Sequence, residues 1–322
     1  MHHNILVTPR SFAKWDPSPL NLMESLGYLV KRNPRQQPFT ESEMIEQIKN
    51  IDGVIVGIDP VTSKVIAAAE RLRVISKYGV GLDNIDMEAA TKRGIVVTST
   101  PGANTESVAD LTFGLMISVA RRIIEADQAL RAGRWERFMG MDIWGRTLGV
   151  IGTGRIGKAV VNRAKGFNMR IFAYDTWQDS EWAAAYGVKY VDLEQLMIES
   201  DFVSIHIALN DETCGLVDKK LINLMKPTGI LVNTARGGIV DETALSEALR
   251  KGKIFGAALD VFTEEPLVEQ HLLSTSGLSI TPHIGAYSRG ALENMGKVAV
   301  ENMIAVLQGI KPEHVVNKAV YN

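Results

Sequence analysis

Glycines at 152, 154 and 157 constrain this chain more than any other feature. The run Gly152-Thr153-Gly154-Arg155-Ile156-Gly157 follows the apolar Leu148-Gly149-Val150-Ile151 and opens onto Lys158-Ala159-Val160-Val161, which sets it at a strand-to-helix turn. The spacing alone is a weak pattern. Its force comes from context, which requires a strand before it, a helix after it, a second strand, and an acidic residue roughly 20 positions on. Met169 to Tyr174 supplies the second strand and Asp175 closes it. Gly152 permits the tight turn, Gly154 admits a pyrophosphate against the backbone, and Gly157 lets the helix lie close to the sheet. The helix N-terminus at Arg155 and Ile156 turns free N–H groups and a positive dipole end toward the phosphates. Asp175 would accept hydrogen bonds from the adenosine ribose hydroxyls and repel a 2′-phosphate. No Arg or Lys occurs in Thr176 to Asp179, so NAD is favoured over NADP.

A chain of 322 residues that is 46% hydrophobic has material for two cores and predicts two domains. Its net charge of −2 gives no electrostatic case for nucleic acid or an acidic membrane surface. The single cysteine, Cys214, excludes an internal disulfide and fits a reducing compartment. No apolar run approaches the roughly 20 residues of a membrane span, and no signal-like core precedes the strand-like Asn4 to Thr8. A soluble cytoplasmic protein is expected, and no metal site is assigned.

Short β-rich runs at Ile5 to Thr8, Tyr28 to Lys31, Val54 to Gly57, Val74 to Lys77 and Ile95 to Thr98 alternate with helix-length stretches such as Glu41 to Asn50 and Val61 to Arg71. Repeated βα units imply a parallel sheet, whose ligands gather beyond the carboxyl ends of its strands. The loops Pro9 to Lys14, Gly57 to Pro60, Tyr78 to Asn84 and Ser99 to Asn104 are therefore expected to face one cleft. Pro101-Gly102-Ala103 then breaks the pattern, and a helix apolar on two faces runs from Ser107 to about Arg121. Such a helix is expected to be buried on both sides, between domains or between subunits. From Thr147 a second βα series begins, with further strands at Phe202 to His206, Ile230 to Asn233, Ile254 to Leu259 and Leu278 to Thr281. The last long helix, about Ser288 to Leu307, could return to the first domain.

Three stretches in the second half carry candidate chemistry. In Leu231-Val232-Asn233-Thr234-Ala235-Arg236-Gly237-Gly238 a strand ends in a small-residue loop with one arginine, whose planar fork can bind a carboxylate bidentately. Taken in isolation, an arginine in a glycine turn is more often a surface residue. Ala258 to Pro266 is a strand ending in Asp260, Glu264 and Glu265, and Thr281-Pro282-His283-Ile284-Gly285 delivers a histidine at a strand's carboxyl end. His206 also ends a strand and is the rival. A carboxylate partner would let a protonated imidazole persist near neutral pH as a proton donor.

Together these motifs resemble the D-isomer-specific 2-hydroxyacid dehydrogenase family. Lys77-Tyr78-Gly79-Val80-Gly81-Leu82-Asp83-Asn84-Ile85-Asp86 and Thr100 to Asp110 extend the likeness over nearly the whole chain. Within the family it is nearest to the phosphoglycerate dehydrogenase branch, without the regulatory domain some members append. The resemblance implies two doubly wound parallel-sheet α/β domains, a Rossmann NAD-binding domain (103–286) inserted into a flavodoxin-like substrate domain (1–102 and 287–322). It further implies that Arg236 binds the substrate carboxylate and C2 oxygen, that His283 is the proton donor and acceptor, and that Glu265 orients His283. Asp260 would hold the nicotinamide carboxamide and Thr234 and Ala235 would line its pocket. The backbone N–H groups of Gly79, Val80 and Gly81 would form a carboxylate nest. Ala208 departs from the family pattern, which commonly has proline there.

The implied reaction moves a hydride between nicotinamide C4 and C2 of a small 2-hydroxy or 2-keto acid, with charge on the C2 oxygen met by Arg236 and protonated His283. The substrate could be 3-phosphoglycerate, with Arg10 and Lys77 as cations for a phosphate, or the protein could be a glyoxylate/hydroxypyruvate reductase. A non-enzymatic NAD-sensing corepressor is the rival from another class. The helices from Ser107 to Trp135 resemble the family's dimerisation arm, which implies a homodimer.

Overall fold

The computed structural model describes residues 2–35 and 37–321. The chain divides into two compact units, Met1–Asn104 with Ala286–Asn322, and Thr105–Gly285. These breaks fall within two residues of 102/103 and 286/287.

The first unit is built on a parallel sheet of β1 (Asn4–Val7), β2 (Leu29–Arg32), β3 (Gly53–Val56), β4 (Val74–Lys77) and β5 (Val96–Thr98), in the order β2-β1-β3-β4-β5. Apart from the edge strand β2, these strands are almost wholly buried, as expected of a sheet covered by helices on both faces. The connecting helices are α1 (Ser18–Ser25), α2 (Glu41–Ile48), α3 (Ser63–Ala68) and α4 (Met87–Lys92). Thr40, Thr62 and Asp86 start α2, α3 and α4 by accepting the N–H groups of Glu43, Val65 and Ala89. The helix anticipated from Val61 begins later because Val61 is committed to a parallel bridge with Ile85.

The second unit opens with α5 (Thr105–Arg121) and α6 (Ile123–Arg131), then winds through β6 (Thr147–Ile151), α7 (Arg155–Lys165), β7 (Arg170–Tyr174), α8 (Ser180–Tyr186), β8 (Val188–Tyr190), α9 (Leu193–Glu199) and β9 (Phe202–Ile205). It continues with α10 (Lys219–Leu224), β10 (Ile230–Asn233), α11 (Glu242–Arg250), β11 (Gly256–Leu259), α12 (Gln270–Leu273) and β12 (Leu278–Ile280). All seven strands are parallel, in the order β12-β11-β10-β9-β6-β7-β8. The order reverses at β6, which has β7 on one side and β9 on the other. That reversal is the switch point at which open α/β sheets bind ligands. One core, with α5 and α7, covers one face of the sheet, and a second, with α9, α10 and α11, covers the other.

Helix α5 is buried within its own unit, where Ala109, Phe113, Leu115, Met116 and Val119 pack against α7 and the sheet. Its two apolar faces therefore need no second subunit. The exposed apolar side chains lie further on, in α6 and the irregular segment after it: Leu130, Trp135, Met139 and Trp144.

Helix α13 (Arg289–Leu307) belongs to the first unit and packs on β3, β4 and β5. Ser76 Oγ donates to Ala299 O at 2.7 Å, Asn302 Nδ2 to Ser99 O at 3.0 Å, and Arg73 to Leu307 O and Val306 O at 3.1 and 3.2 Å. Among the described residues no helix is long and apolar enough to cross a membrane.

Candidate active site

The glycine turn joins β6 to α7 at the switch point. Gly152 has φ 97°, and a β-carbon there would lie 2.6 Å from the His206 carbonyl oxygen, so only glycine fits. A β-carbon at Gly157 would overlap Gly152 O, whereas one at Gly154 would meet no protein atom within 4 Å. The turn is thus closed against protein at both ends and open in the middle. Gly154 is the N-cap of α7 and supplies no side-chain cap, and no acidic residue occupies the first turn, which begins at Arg155 and Ile156. These features fit a dinucleotide pyrophosphate.

Asp175, at the end of β7, is already oriented. Its Oδ2 accepts Thr153 N at 2.6 Å and Thr153 Oγ1 at 3.0 Å, and its Oδ1 accepts Trp177 N at 3.1 Å. Thr153 Oγ1 also meets Tyr190 Oη at 2.9 Å. Neither Thr153 nor Tyr190 stands out in the sequence, because an isolated hydroxyl carries no spacing signal.

Arg236, Asp260, Glu265 and His283 all follow the carboxyl ends of neighbouring strands β10, β11 and β12. Asn233, buried at the end of β10, holds the arginine loop: its Nδ2 donates to Arg236 O at 2.8 Å and its Oδ1 accepts Ala235 N at 3.0 Å. Arg236 Nη1 donates to Ala235 O at 2.6 Å. A β-carbon at Gly237 would overlap the Phe262 backbone, so glycine there lets the arginine loop touch the loop carrying Glu265. Thr234 is buried, with its hydroxyl 2.9 Å from that of Thr112 on α5, and Ala235 is half-buried.

His283 Nδ1 donates to Glu265 Oε2 at 2.7 Å, and Glu265 Oε1 accepts Phe262 N at 3.0 Å. Burial pushes the Glu265 carboxyl up, but its hydrogen bond to His283, that residue's charge, Phe262 N–H and the Arg236 charge together hold it below the usual range. With Nδ1 tied to the carboxylate, Nε2 is the ring nitrogen left for a substrate proton. The His283 backbone is left-handed, with φ 53°, a conformation costly for a residue with a β-carbon. Its N–H is held by Asp260 O at 2.9 Å and Thr281 O at 3.0 Å.

Asp260 is almost wholly buried, and its carboxylate is engaged by the same turn. Oδ1 accepts Thr281 Oγ1 at 2.6 Å and Ile284 N at 2.8 Å, and Oδ2 accepts Gly285 N at 2.7 Å. Burial raises its pKa against these bonds. The carboxylate expected to hold a nicotinamide carboxamide therefore first holds the turn that presents His283.

The rival His206 is placed differently. Its Nε2 lies 2.7 Å from Ser204 Oγ, its buried Nδ1 has no hydrogen-bond partner, and burial pushes its pKa down to about 3, so it stays neutral.

In the first unit the nest and cation expectations need correction. The Gly79 N–H is used by Thr100 Oγ1 at 3.1 Å, which leaves Val80 and Gly81 as the N–H donors of that loop. Lys77 is buried rather than at an outer edge. Its Nζ donates to Gly57 O and Asn84 Oδ1, each at 2.6 Å, and so ties the loops after β3 and β4 together. Arg10 is exposed on the loop after β1. Ile58, on the loop after β3, exposes 70% of its surface.

Comparison with known proteins gives one consistent picture. Residues 113–285 match the model of the NAD-binding domain of D-isomer-specific 2-hydroxyacid dehydrogenases. The chain is 42% identical over 299 residues to a glyoxylate reductase of Thermococcus litoralis, covering 90% of each protein. It is 46% identical over 282 residues to a D-3-phosphoglycerate dehydrogenase of Methanocaldococcus jannaschii, covering 86% of this chain but 54% of that protein. Among solved structures, the TT0316 protein of Thermus thermophilus is 39% identical, with a TM-score of 0.89 over 97% of this chain and 99% of that one. A D-lactate dehydrogenase of Aquifex aeolicus, solved with NAD and lactic acid, is 29% identical, with a TM-score of 0.81 over 95% and 96%.

Proposed function

Because the chain belongs to the D-isomer-specific 2-hydroxyacid dehydrogenase family and is an NAD-dependent oxidoreductase, we propose that it reduces glyoxylate and other small, unphosphorylated 2-keto acids. The observation that carries the chemistry is the His283–Glu265 hydrogen bond on a loop neighbouring that of Arg236. Bound NADH supplies the hydride to C2. Arg236 grips the substrate carboxylate and meets the charge that develops on the C2 oxygen, and His283 Nε2 delivers the proton to that oxygen. Glu265 holds the imidazole in the tautomer that leaves Nε2 free for substrate, and Asp260 holds its turn. The products are the 2-hydroxy acid and NAD. In the oxidative direction His283 takes the proton back.

Two features support an unphosphorylated substrate over 3-phosphoglycerate. Lys77, one of two cations considered for a phosphate, is buried with its ammonium engaged, and the apolar Ile58 is exposed on a neighbouring loop. The glyoxylate reductase likeness also runs the length of both proteins. Val80 and Gly81 N–H groups are proposed as further carboxylate donors, and Arg10 as the remaining phosphate candidate. NADH oxidation is to be followed with glyoxylate, hydroxypyruvate and 3-phosphohydroxypyruvate. The expected order places kcat/KM for the two unphosphorylated acids first. A phosphorylated substrate ahead by tenfold or more, with the advantage erased by Arg10→Ala, would assign the phosphoglycerate reaction instead.

The exposed Leu130, Trp135, Met139 and Trp144 support a homodimer, and the use of NAD(H) with one free cysteine, Cys214, supports a cytoplasmic location.

A further inference from the structure

We propose that Tyr190 and Thr153 are positioning residues for cofactor selection, acting on Asp175 through a one-way chain of hydrogen bonds. The inference rests on the assignment of Asp175 to the adenosine ribose.

The direction of the chain follows from chemistry. An ionised carboxylate only accepts, so the 3.0 Å contact between Thr153 Oγ1 and Asp175 Oδ2 uses the single hydroxyl proton of Thr153. Thr153 Oγ1 must then act as acceptor in its 2.9 Å contact with Tyr190 Oη, so the phenol donates. The phenol oxygen in turn accepts Asp179 N at 3.3 Å. Every donor points toward Asp175, and bonds aligned in this way polarise one another.

Both ends of the chain are anchored. Thr153 is buried in the glycine turn, and its N–H already holds Asp175 Oδ2 at 2.6 Å. Tyr190 ends the edge strand β8, paired with Ala173 of β7 two residues before Asp175. Asp179 caps α8 by accepting Trp182 N, and its other oxygen takes Lys158 Nζ of α7 at 2.6 Å. Lys158 also lies over the Trp182 ring, 5.0 Å from its centroid. Lys158 is thereby committed to Asp179 and the indole.

The consequence lies in what remains of the Asp175 carboxylate. Two bonds fill Oδ2, and Trp177 N occupies one lone pair of Oδ1. The pinned rotamer therefore offers Oδ1 to one ribose hydroxyl and keeps a full negative charge where a 2′-phosphate would come. Without the chain, only the Thr153 and Trp177 N–H groups hold Asp175, and the looser carboxylate weakens the ribose bond and lets the charge move away from a phosphate.

The test measures the dissociation constants of NADH and NADPH, by quenching of protein fluorescence, for the unmutated protein and for Tyr190→Phe, Thr153→Val, Thr153→Ser and Asp175→Ala. Tyr190→Phe and Thr153→Val are expected to lower the preference for NADH over NADPH by about fivefold, the scale of one hydrogen bond. Thr153→Ser keeps the hydroxyl and should keep the preference. A purely structural role would weaken both cofactors alike and leave the ratio unchanged. If Asp175→Ala collapses the preference while Tyr190→Phe and Thr153→Val hold it within twofold, the chain is overturned and the ribose assignment stands. If Asp175→Ala itself leaves the preference intact, the ribose assignment falls and this inference with it.

Discussion

His283 sits in a left-handed backbone conformation that three hydrogen bonds to Asp260 and two to the His283 N–H keep in place. The arrangement fixes the imidazole before any substrate arrives, which is how a general acid gains its effectiveness. His283→Ala should lower keto-acid reduction by roughly a hundredfold or more in steady-state assays. Glu265→Gln should lower keto-acid reduction by about tenfold or more, because a neutral amide no longer fixes the imidazole tautomer that leaves Nε2 to the substrate. His206→Ala should leave reduction in place, since burial pushes the His206 pKa down to about 3. A rate that falls with His206 instead would reverse the assignment. Arg236, Glu265 and His283 could be singled out in the sequence as candidates because each lies in a recognisable run that follows a strand. The double engagement of Asp260, the use of Lys77 inside its own loops, and the Tyr190 to Asp175 chain were not, because side-chain hydrogen bonds between distant segments leave no local pattern.

The glycine turn of α7 separates a folding requirement from a binding requirement. A β-carbon at Gly157 overlaps Gly152 O, whereas the space at Gly154 is free of protein. Gly154→Ala should therefore keep the thermal midpoint within a few degrees while weakening NADH binding several-fold, whereas Gly157→Ala should lower the midpoint itself. Loss of stability in both variants would mean that the middle of the turn is structural too. Across the sheet, Asp201 opens β9, accepting Thr147 N at 2.9 Å and Lys226 Nζ at 2.8 Å. Burial pushes its carboxyl up, but these partners win and hold it below the usual range. A depressed carboxylate stabilises the fold above its unfolded pKa and loses that contribution as pH falls through its folded pKa. Asp201→Asn should cost about 1–3 kcal/mol near neutral pH by urea titration, with the gap closing under acid. A gap independent of pH would remove charge from the explanation. The strands and long helices were readable from their periodicity, but β8 was not: three residues after Gly187 are too few to show alternation.

At the scale of the whole molecule, the exposed apolar side chains of α6 and the segment after it are the surface proposed for the homodimer. Trp135→Glu combined with Leu130→Glu should convert a dimer into monomers by light scattering at micromolar concentration. A monomer in the unmutated protein would count against the assembly. The sequence reading laid this surface over both helices, Ser107 to Trp135, because apolar residues on two faces of α5 cannot by themselves reveal that it is covered within its own unit. The first unit has a further peculiarity, being encoded in two pieces with residues 105–285 between them. During translation β1 to β5 leave the ribosome early, while α13, the partner of Arg73, Ser76 and Ser99, leaves last. The second unit has its whole sequence available before α13 is made, so it is expected to complete its fold first. Chains truncated after residue 285 should yield a protease-resistant core from residues 105–285 while β1 to β5 are still cut. Until α13 arrives, the face of the first sheet that it covers stays bare.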